Sequence, residues 1–576
     1  MSKVRIESIE VENYRSFGER QRFEFPGEEY KKPIAIIGYN NVGKTNLMNA
    51  ILYGVGERYV QEKTFELKDI HNLDKDRRLF IRSQMGGSSY GIDYYGKDKT
   101  IAGTHTITCK LEDGELYSEI AKGESFFGAN KHYNIFYINF HNIKDEISTQ
   151  KTSWGNLTSF LAKHIQKLVD SDGVMATKKT YFKDENDKLK EEILDGSKLN
   201  KFIDSIKENY SVNLRDNNCM IDFGLPDYED IFLKMIFKIG LNGNMDSPIP
   251  LEHFGDGYIS MFVMAVIQAI AETEIDDKCL FLFEEPESFL HANHQEYFYK
   301  RVLCNLANRG HQVIYTTHSA KMIDIFDTKS IIKLEFDEDK MQTEVSYNNI
   351  GNFDIEDEVI GVAQYNQYIK TIEPNLNKIL FSKKVIFVEG PNDVMVYNYV
   401  IRKKVYEAYL SKRGYEKNGE IPYDVEEACK SFADTYLNFE NIVIIPHHGK
   451  STVFLLVELC KHFNIDYFVI TDWDLYEDFI GELSKYKHES DMKKSHLYKE
   501  ASSNKGIITT NWKIISSVGL DNIHYNIPRL EEVIGYENND KDSLNIWKKL
   551  NETDEFSTNL FSSNLEKFIG LNNIKP

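Results

Sequence analysis

The sequence predicts an α/β protein with parallel sheets in both halves, on three observations. A short apolar run at Pro33–Ile37 enters a glycine-rich turn and then a helical segment. Compact apolar strands recur at Cys279–Phe283 and Gln312–Tyr315, each ending in a polar turn. From Lys384 onward, strand-like runs at Lys384–Val388, Asn441–Ile445 and Tyr467–Ile470 alternate with helical spacing, the βαβ rhythm of a parallel sheet.

In chain order, Val4–Val11 alternates as a half-buried strand does, with Gln21–Phe25 as its candidate hairpin partner. Thr104–Leu111 and Glu115–Ile120 flank Asp113-Gly114, a dipeptide that favours a tight hairpin turn. From about Asn142 to Met245 the apolar spacing turns helical, notably in Leu157–Val169 and Asp187–Tyr210, which predicts a helical insertion placed to serve dimerisation or docking. At 576 residues the chain exceeds the size at which one core stops growing. The motifs divide it at 1–141, 142–245, 246–375, 376–540 and 541–576: a first part with a P-loop, the insertion, the rest of the same domain, a second catalytic domain and a helical C-terminal segment.

Composition narrows the function classes. A hydrophobic share of 41% with 28% charged residues describes an ordinary globular chain. No run of about eighteen apolar residues and no signal-like N-terminus is present, so a cytoplasmic protein with no membrane association is expected. The six cysteines have no paired spacing, which excludes a zinc ribbon and a disulfide framework. A formal charge of −21 argues against indiscriminate adhesion to nucleic acid, while leaving room for a local basic groove. Arg402–Lys404, Lys412–Arg413 and Lys493–Lys494 are candidates for one, and solvated surface is their ordinary reading.

The segment Gly38-Tyr39-Asn40-Asn41-Val42-Gly43-Lys44-Thr45 has the P-loop pattern between a strand and a helix. Its glycines let backbone N–H groups wrap phosphates, Lys44 reaches the β- and γ-phosphates, and Thr45 ligates Mg²⁺. Gly38, Asn40, Asn41, Gly43, Lys44 and Thr45 are therefore the expected ATP contacts. Downstream, Glu284-Glu285 ends a buried strand; Glu284 is assigned to the metal shell and Glu285 to orienting the attacking water. Thr316-Thr317-His318-Ser319 ends another strand. A lone histidine there is usually structural, but its place after the paired glutamates favours contact of His318 with the γ-phosphate.

These residues, with the opening Ile9-Glu10-Val11-Glu12-Asn13-Tyr14-Arg15-Ser16-Phe17 and the Glu284–Glu287 run with His291, resemble the ABC-type ATPase heads of the RecF, SMC and OLD groups over roughly the first 370 residues. The resemblance implies a homo-oligomer, a dimer or tetramer joined through the heads, in which a signature loop completes a neighbour's ATP site. Phe254-Gly255-Asp256-Gly257 sits where that loop belongs, although it departs from the usual Ser-Gly-Gly form.

A second constellation follows. Val385–Val388 delivers Glu389-Gly390, with Asp393 one helical turn further if a helix begins after Pro391. Tyr467–Ile470 delivers Asp472 and Asp474, spaced so that both reach one hard cation. Taken alone, the Asp472/Asp474 pair favours a solvated loop. Gathered, these acids imply Mg²⁺ or Mn²⁺, and two such ions about 3.5–4 Å apart suit phosphodiester cleavage. The set resembles the Toprim domain, with Pro446–Lys450 in the place of its glycine turn. An ABC head followed by a Toprim domain resembles the OLD (overcoming lysogenization defect) family, similar to proteins of Gabija and retron-associated antiphage systems.

That resemblance implies an ATP-regulated, metal-dependent DNA endonuclease in antiphage defence. DNA is then the substrate, and a defence-system protein or a retron reverse transcriptase with its msDNA is a candidate partner. It implies Glu389, Asp393, Asp472 and Asp474 as metal ligands, Glu531 as a further ligand and Lys541 as the basic residue steadying the scissile phosphate; surface helix is an equal reading for the last two. The rival function is a DNA-sensing ATPase clamp whose second domain does not cut.

Overall fold

The computed structural model describes residues 5–58, 60–74, 76–86, 90–92, 98–100, 103–112, 115–120, 134–142, 173–195, 198–213, 238–239, 249–273, 278–348, 353, 362–417, 419–536, 542–553 and 558–574. They form two compact units. One holds Met1–Ile36, Asn41–Met322 and Phe336–Thr343; the other holds Ile37–Asn40, Ile323–Glu335 and Glu344–Pro576.

The first unit opens with β1 (Arg5–Glu12) and β2 (Gln21–Glu24). Strand β3 (Ile34–Ile37) leads into helix α1 (Lys44–Gly54), and β4 (Leu79–Gly86), β5 (Gly103–Glu112) and β6 (Glu115–Ile120) follow. Strands β2-β1-β4-β5-β6 form an antiparallel sheet in that order. The expected pairing of β1 with β2 is present, in the register Ile9↔Phe23 and Val11↔Gln21. Strand β5 pairs with β6 across the Asp113-Gly114 dipeptide, which itself lies outside the described residues.

Next come β7 (Asn134–Asn139), α2 (Gly173–Leu194), α3 (Lys198–Asn213), α4 (Asp256–Thr273), β8 (Cys279–Glu284) and β9 (Gln312–Thr317). The sheet order β3-β9-β8-β7 places the P-loop strand beside β9 and the glutamate strand β8 between β9 and β7. Strand β8 is parallel to both neighbours. Every residue of β8 and β9 is buried, which is why Cys279–Phe283 and Val313–Tyr315 read as apolar runs. Asp187–Tyr210 divides between α2 and α3, and Leu157–Val169 lies outside the described residues. Gly255 and Asp256 stand at the start of α4, as a loop-to-helix junction requires.

In the second unit, β10 (Lys384–Val388) feeds α5 (Pro391–Lys412), and α6 (Tyr423–Phe439), β11 (Ile442–Pro446), α7 (Val453–His462), β12 (Asp466–Asp472), α8 (Lys505–Val518) and β13 (Ile523–Asn526) complete the alternation. The sheet runs β11-β10-β12-β13, all parallel. Its core unites Ile386, Val388, Phe468 and Ile470 with Val396, Val400 and Ile401 of α5 and with Leu550, Leu565 and Ile569 near the C-terminus. A fully buried side chain of this kind is worth about 1.5–3 kcal/mol, so the C-terminal segment is integral to this unit's core. No described helix is long and apolar enough to cross a membrane.

Candidate active sites

The P-loop backbone is bent by left-handed residues: φ is 148° at Gly38, 66° at Asn41 and 95° at Gly43. A side chain at Gly43 would also strike Ser16 and Thr343, at 2.5 and 2.6 Å, so glycine is required there twice over. Gly43 caps α1 without a side-chain hydrogen bond, which leaves first-turn N–H groups for an anion. The opening motif explains itself locally: Asn46 Nδ2 donates to Ser16 Oγ at 2.9 Å, and Arg15 pairs with Asp69 at 2.9 Å. These contacts tether the loop after β1 to the helix of the P-loop.

The adjacent tips of β8 and β9 bring the carboxylates to Lys44. Burial pushes the Lys44 ammonium down to about 8 against the opposing pull of Glu285, Glu287 and Glu284. Its Nζ lies 3.4 Å from His318 Nδ1. Glu285 has a left-handed backbone, φ 45°, and its two oxygens meet His318 Nε2 at 3.0 Å and His141 Nε2 at 2.7 Å. The His318 hydrogen bond, aided by the charge of both histidines and opposed by burial, holds this carboxyl at about 2. Glu284 accepts from Tyr137 Oη at 2.7 Å. Glu287 fixes the Thr-His-Ser turn, accepting from Thr317 Oγ1 at 2.7 Å and His318 N at 2.6 Å, and burial raises its carboxyl. His291 caps the helix Ala292–Phe298, accepting from Asn293 N. This is a structural role.

In the second unit, Glu389 follows β10 and accepts from Thr471 Oγ1 at 3.0 Å and Asp472 N at 3.1 Å. Helix α5 does begin at Pro391, and Asp393 folds back so that its Oδ2 accepts from Gly390 N at 3.2 Å. Glu389 precedes the helix, so the two acids do not share a helix face as expected; the cap contact ties Asp393 to Gly390, the residue after Glu389. Asp393 Oδ1 is buried with no hydrogen-bond partner. Asp472 ends β12, with Oδ1 accepting from Leu530 N at 2.9 Å and from Asn526 Nδ2 at 3.4 Å. Asn526 is itself oriented by Tyr397 Oη, which donates to its Oδ1 at 2.8 Å.

The electrostatics of this trio are unfavourable. Burial, then Glu389, pushes the Asp393 carboxyl up to about 7, and burial with Glu389 and Asp393 pushes Asp472 up to about 8; Glu531 adds to both. No ion pair to Glu389, Asp393 or Asp472 occurs among the described residues. Hard carboxylate oxygens without a counter-charge, one of them buried and unpartnered, are the donor set that a divalent cation fits. No three acidic, imidazole or thiol groups among the described residues converge tightly enough to cage an ion as they stand.

Three sequence profiles match parts of the chain. That of an AAA ATPase domain matches residues 149–323, and that of an AAA domain matches 8–231. A third, for the TOPRIM domain of overcoming lysogenization defect protein-like proteins, matches 425–474. The chain combines an AAA ATPase domain with an OLD-like TOPRIM domain. It is 22% identical over 538 residues to an OLD nuclease of Thermus scotoductus, covering 88% of each chain. It is 21% identical over 571 residues to the endonuclease GajA of Bacillus cereus, covering 91% of this chain and 89% of that one. Among solved structures, an SMC head bound to the C-winged helix domain of ScpA is 16% identical, covering 59% of this chain and 96% of its own at a TM-score of 0.35.

The remaining TOPRIM candidates are placed differently from the trio. Asp474 has a left-handed backbone, φ 62°, and pairs with Lys450 at 2.7 Å, with Arg529 Nε at 3.8 Å from its other oxygen. Glu531, in a short helix at Leu530–Val533, lies near enough to raise both Asp393 and Asp472. Lys541 lies outside the described residues. The basic clusters are largely committed: Arg402 to Asp434, Lys403 to the Thr553 carbonyl, Lys493 to Glu489 and Lys494 to Asp491. Sequence reasoning missed Tyr137, which lies in β7, and His141, which lies in the short turn Phe140–Asn142 after it. It also took Lys450 only as part of a turn, and passed over Tyr397, Asn511 and Asn526.

Proposed function

We propose that the chain is an ATP-binding and ATP-hydrolysing, divalent-metal-dependent DNA endonuclease of antiphage defence, working as a homo-oligomer joined through its ATPase heads. The observation that carries this reading is the buried trio Glu389, Asp393 and Asp472, whose mutual repulsion has no use in a purely structural strand tip. These oxygens, with Glu531 close by, would hold Mg²⁺ or Mn²⁺, which would supply Lewis-acid charge for phosphodiester hydrolysis. Thr471 and the Asp472 amide hold Glu389, Gly390 N holds Asp393, and Asn526 with Leu530 N holds Asp472.

In the head, the P-loop amides and Lys44 receive the phosphates of ATP and Thr45 and Glu284 serve its metal. Glu285, kept ionised by its two histidines, orients water. The likeness to proteins named OLD nuclease and endonuclease GajA over about nine-tenths of the chain supports the pairing of these two activities. The test is cleavage of supercoiled and linear DNA by the purified chain in Mg²⁺ or Mn²⁺, with and without ATP, beside Asp472→Ala. Metal-dependent cutting that the variant loses supports the reading. Cutting that survives in Asp472→Ala, or ATP hydrolysis with no cutting under any condition, favours the sensing clamp.

A further inference from the structure

Between strands β12 and β13 the chain changes sign. Residues 484–513 carry seven lysines and no arginine against three acids, a formal charge of +4 within a chain of −21. The ion pairs of this stretch are Lys493 and Lys513 with Glu489, Lys494 with Asp491, and His496 with Glu500. Lys485, Lys487, Lys499 and Lys505 therefore have no acidic partner among the described residues.

Three of the lysines gather around one glutamate and one tyrosine. Glu489, in the short helix Glu489–Met492, lies 2.6 Å from Lys493 Nζ and 3.9 Å from Lys513 Nζ, which reaches it from α8. Lys505, at the start of α8, holds its ammonium 5.6 Å from the centre of the Tyr498 ring, and Tyr498 is also an electrostatic neighbour of Lys493. The side chains of Lys493 and Lys513 are 47% and 50% exposed, so their pairing with Glu489 is open to water and holds them weakly.

This patch is fastened to the strand that carries Asp472. Within α8, Asn511 is wholly buried, and its Nδ2 donates to the carbonyl of Trp473, the residue after Asp472, at 2.7 Å. Trp512 Nε1 donates to the Tyr486 carbonyl at 2.9 Å, which ties α8 to Lys485-Tyr486-Lys487. Lys513 follows these two anchors directly. Lysine is depleted at protein interfaces, whereas hydrated point charges suit the repeated phosphates of a nucleic-acid backbone.

We propose that the surface built by Lys493, Lys505 and Lys513 around Tyr498 is where the chain grips the DNA backbone, independently of base sequence. The inference rests on the nuclease reading and deepens it, giving the hold on the substrate to the segment between β12 and β13. On binding, phosphate oxygens take Lys493 and Lys513 from Glu489.

The experiment is binding of a short fluorescent DNA duplex of arbitrary sequence to the full chain in EDTA, read by anisotropy over a series of salt concentrations. The triple variant Lys493→Gln/Lys505→Gln/Lys513→Gln should bind at least about tenfold more weakly, with the slope of log affinity against log salt reduced by about 2–3. Glu489→Gln should bind about threefold more tightly, and Lys412→Gln/Arg413→Gln, a basic pair elsewhere in the unit, within about twofold of wild type. A triple variant with wild-type affinity and slope overturns the inference and leaves the nuclease reading standing. So does a Lys412→Gln/Arg413→Gln variant weakened as much as the triple variant, or a Glu489→Gln variant that binds no better than wild type. Should the triple variant fail to fold, the three single variants decide, each expected to lower the slope by about 1. Wild type that binds no DNA in EDTA yet cuts it in Mn²⁺ overturns the inference alone; wild type that does neither overturns both.

Discussion

Replacing Asp472 by asparagine should make the metal-free protein more stable at alkaline pH while removing its ability to cut DNA. Asp472 is 7% exposed, and burial together with Glu389 and Asp393 raises its carboxyl to about 8. In the unfolded chain the same group titrates near 3.9, so between about pH 4 and pH 8 the folded state holds a proton that the unfolded state has released. A raised carboxyl therefore lowers stability as pH rises through that window, by up to about 1.4 kcal/mol per unit. At pH 8 the accumulated cost is on the order of 2–5 kcal/mol. An amide at this site keeps the bond accepted from Leu530 N, and its N–H groups face carboxylates. The expected gain is about 5–10 °C in Tm at pH 8 in EDTA and several-fold smaller at pH 5, only about one unit above the unfolded value, where most of the cost has yet to accumulate. Scanning calorimetry of both proteins at the two pH values measures this. An asparagine variant that melts at or below wild type at pH 8 would falsify the claim that the acids repel one another, and would recast Asp472 as a structural anchor.

Three further outcomes follow from the same geometry. Mn²⁺ affinity should rise between pH 6 and pH 8, by up to about tenfold per unit for each proton displaced, because Asp393 and Asp472 must give up protons held near 7 and 8; calorimetry in buffers of different ionisation enthalpy reads the released protons, and a flat profile contradicts the reading. Glu285→Gln should lower ATP hydrolysis about 100-fold or more with nucleotide binding retained, and His141→Ala should lower it in the same direction, since both disturb the carboxylate that orients water; unchanged turnover in either refutes its role. Asn526→Leu should cost about 2 kcal/mol in urea denaturation by stranding the fully buried Tyr397 hydroxyl, whereas Tyr397→Phe, which removes the group instead, should cost about 1 kcal/mol; equal losses would show that the bond between them contributes little.

The parts of both sites that lie along one stretch of chain were legible in the sequence. Lys44 and Thr45 follow from a fixed spacing, and Glu284, Glu389 and Asp472 follow from the rule that a buried strand ending in a carboxylate presents it at the sheet edge. The Pro391 helix start was also legible, because proline at a first helical position needs no donor. What escaped are groups fixed by contacts across many residues. His141 reaches Glu285 over 144 positions and Lys450 reaches Asp474 over 24, and no periodicity records either. Strand β13 was missed because its four residues Ile523–Asn526 include a histidine and an asparagine, polar groups that a buried parallel strand carries only when a partner such as Tyr397 awaits them. The pairing of Asp474 with Lys450 is invisible in a spacing that treats both strand-tip aspartates alike.

The most direct measurement is of DNA cleavage and ATP hydrolysis in one preparation of Glu389→Gln. Glu389 accepts its hydrogen bonds from Thr471 and Asp472, which an amide oxygen can still receive, so the fold should persist. Loss of metal-dependent cutting with ATP hydrolysis at the wild-type level is the expected result, since the carboxylate trio and the Lys44–Glu285 centre are separate constellations. Cutting at the wild-type rate in that variant would contradict the assignment of a metal-dependent nuclease centre to the acids at the ends of β10 and β12.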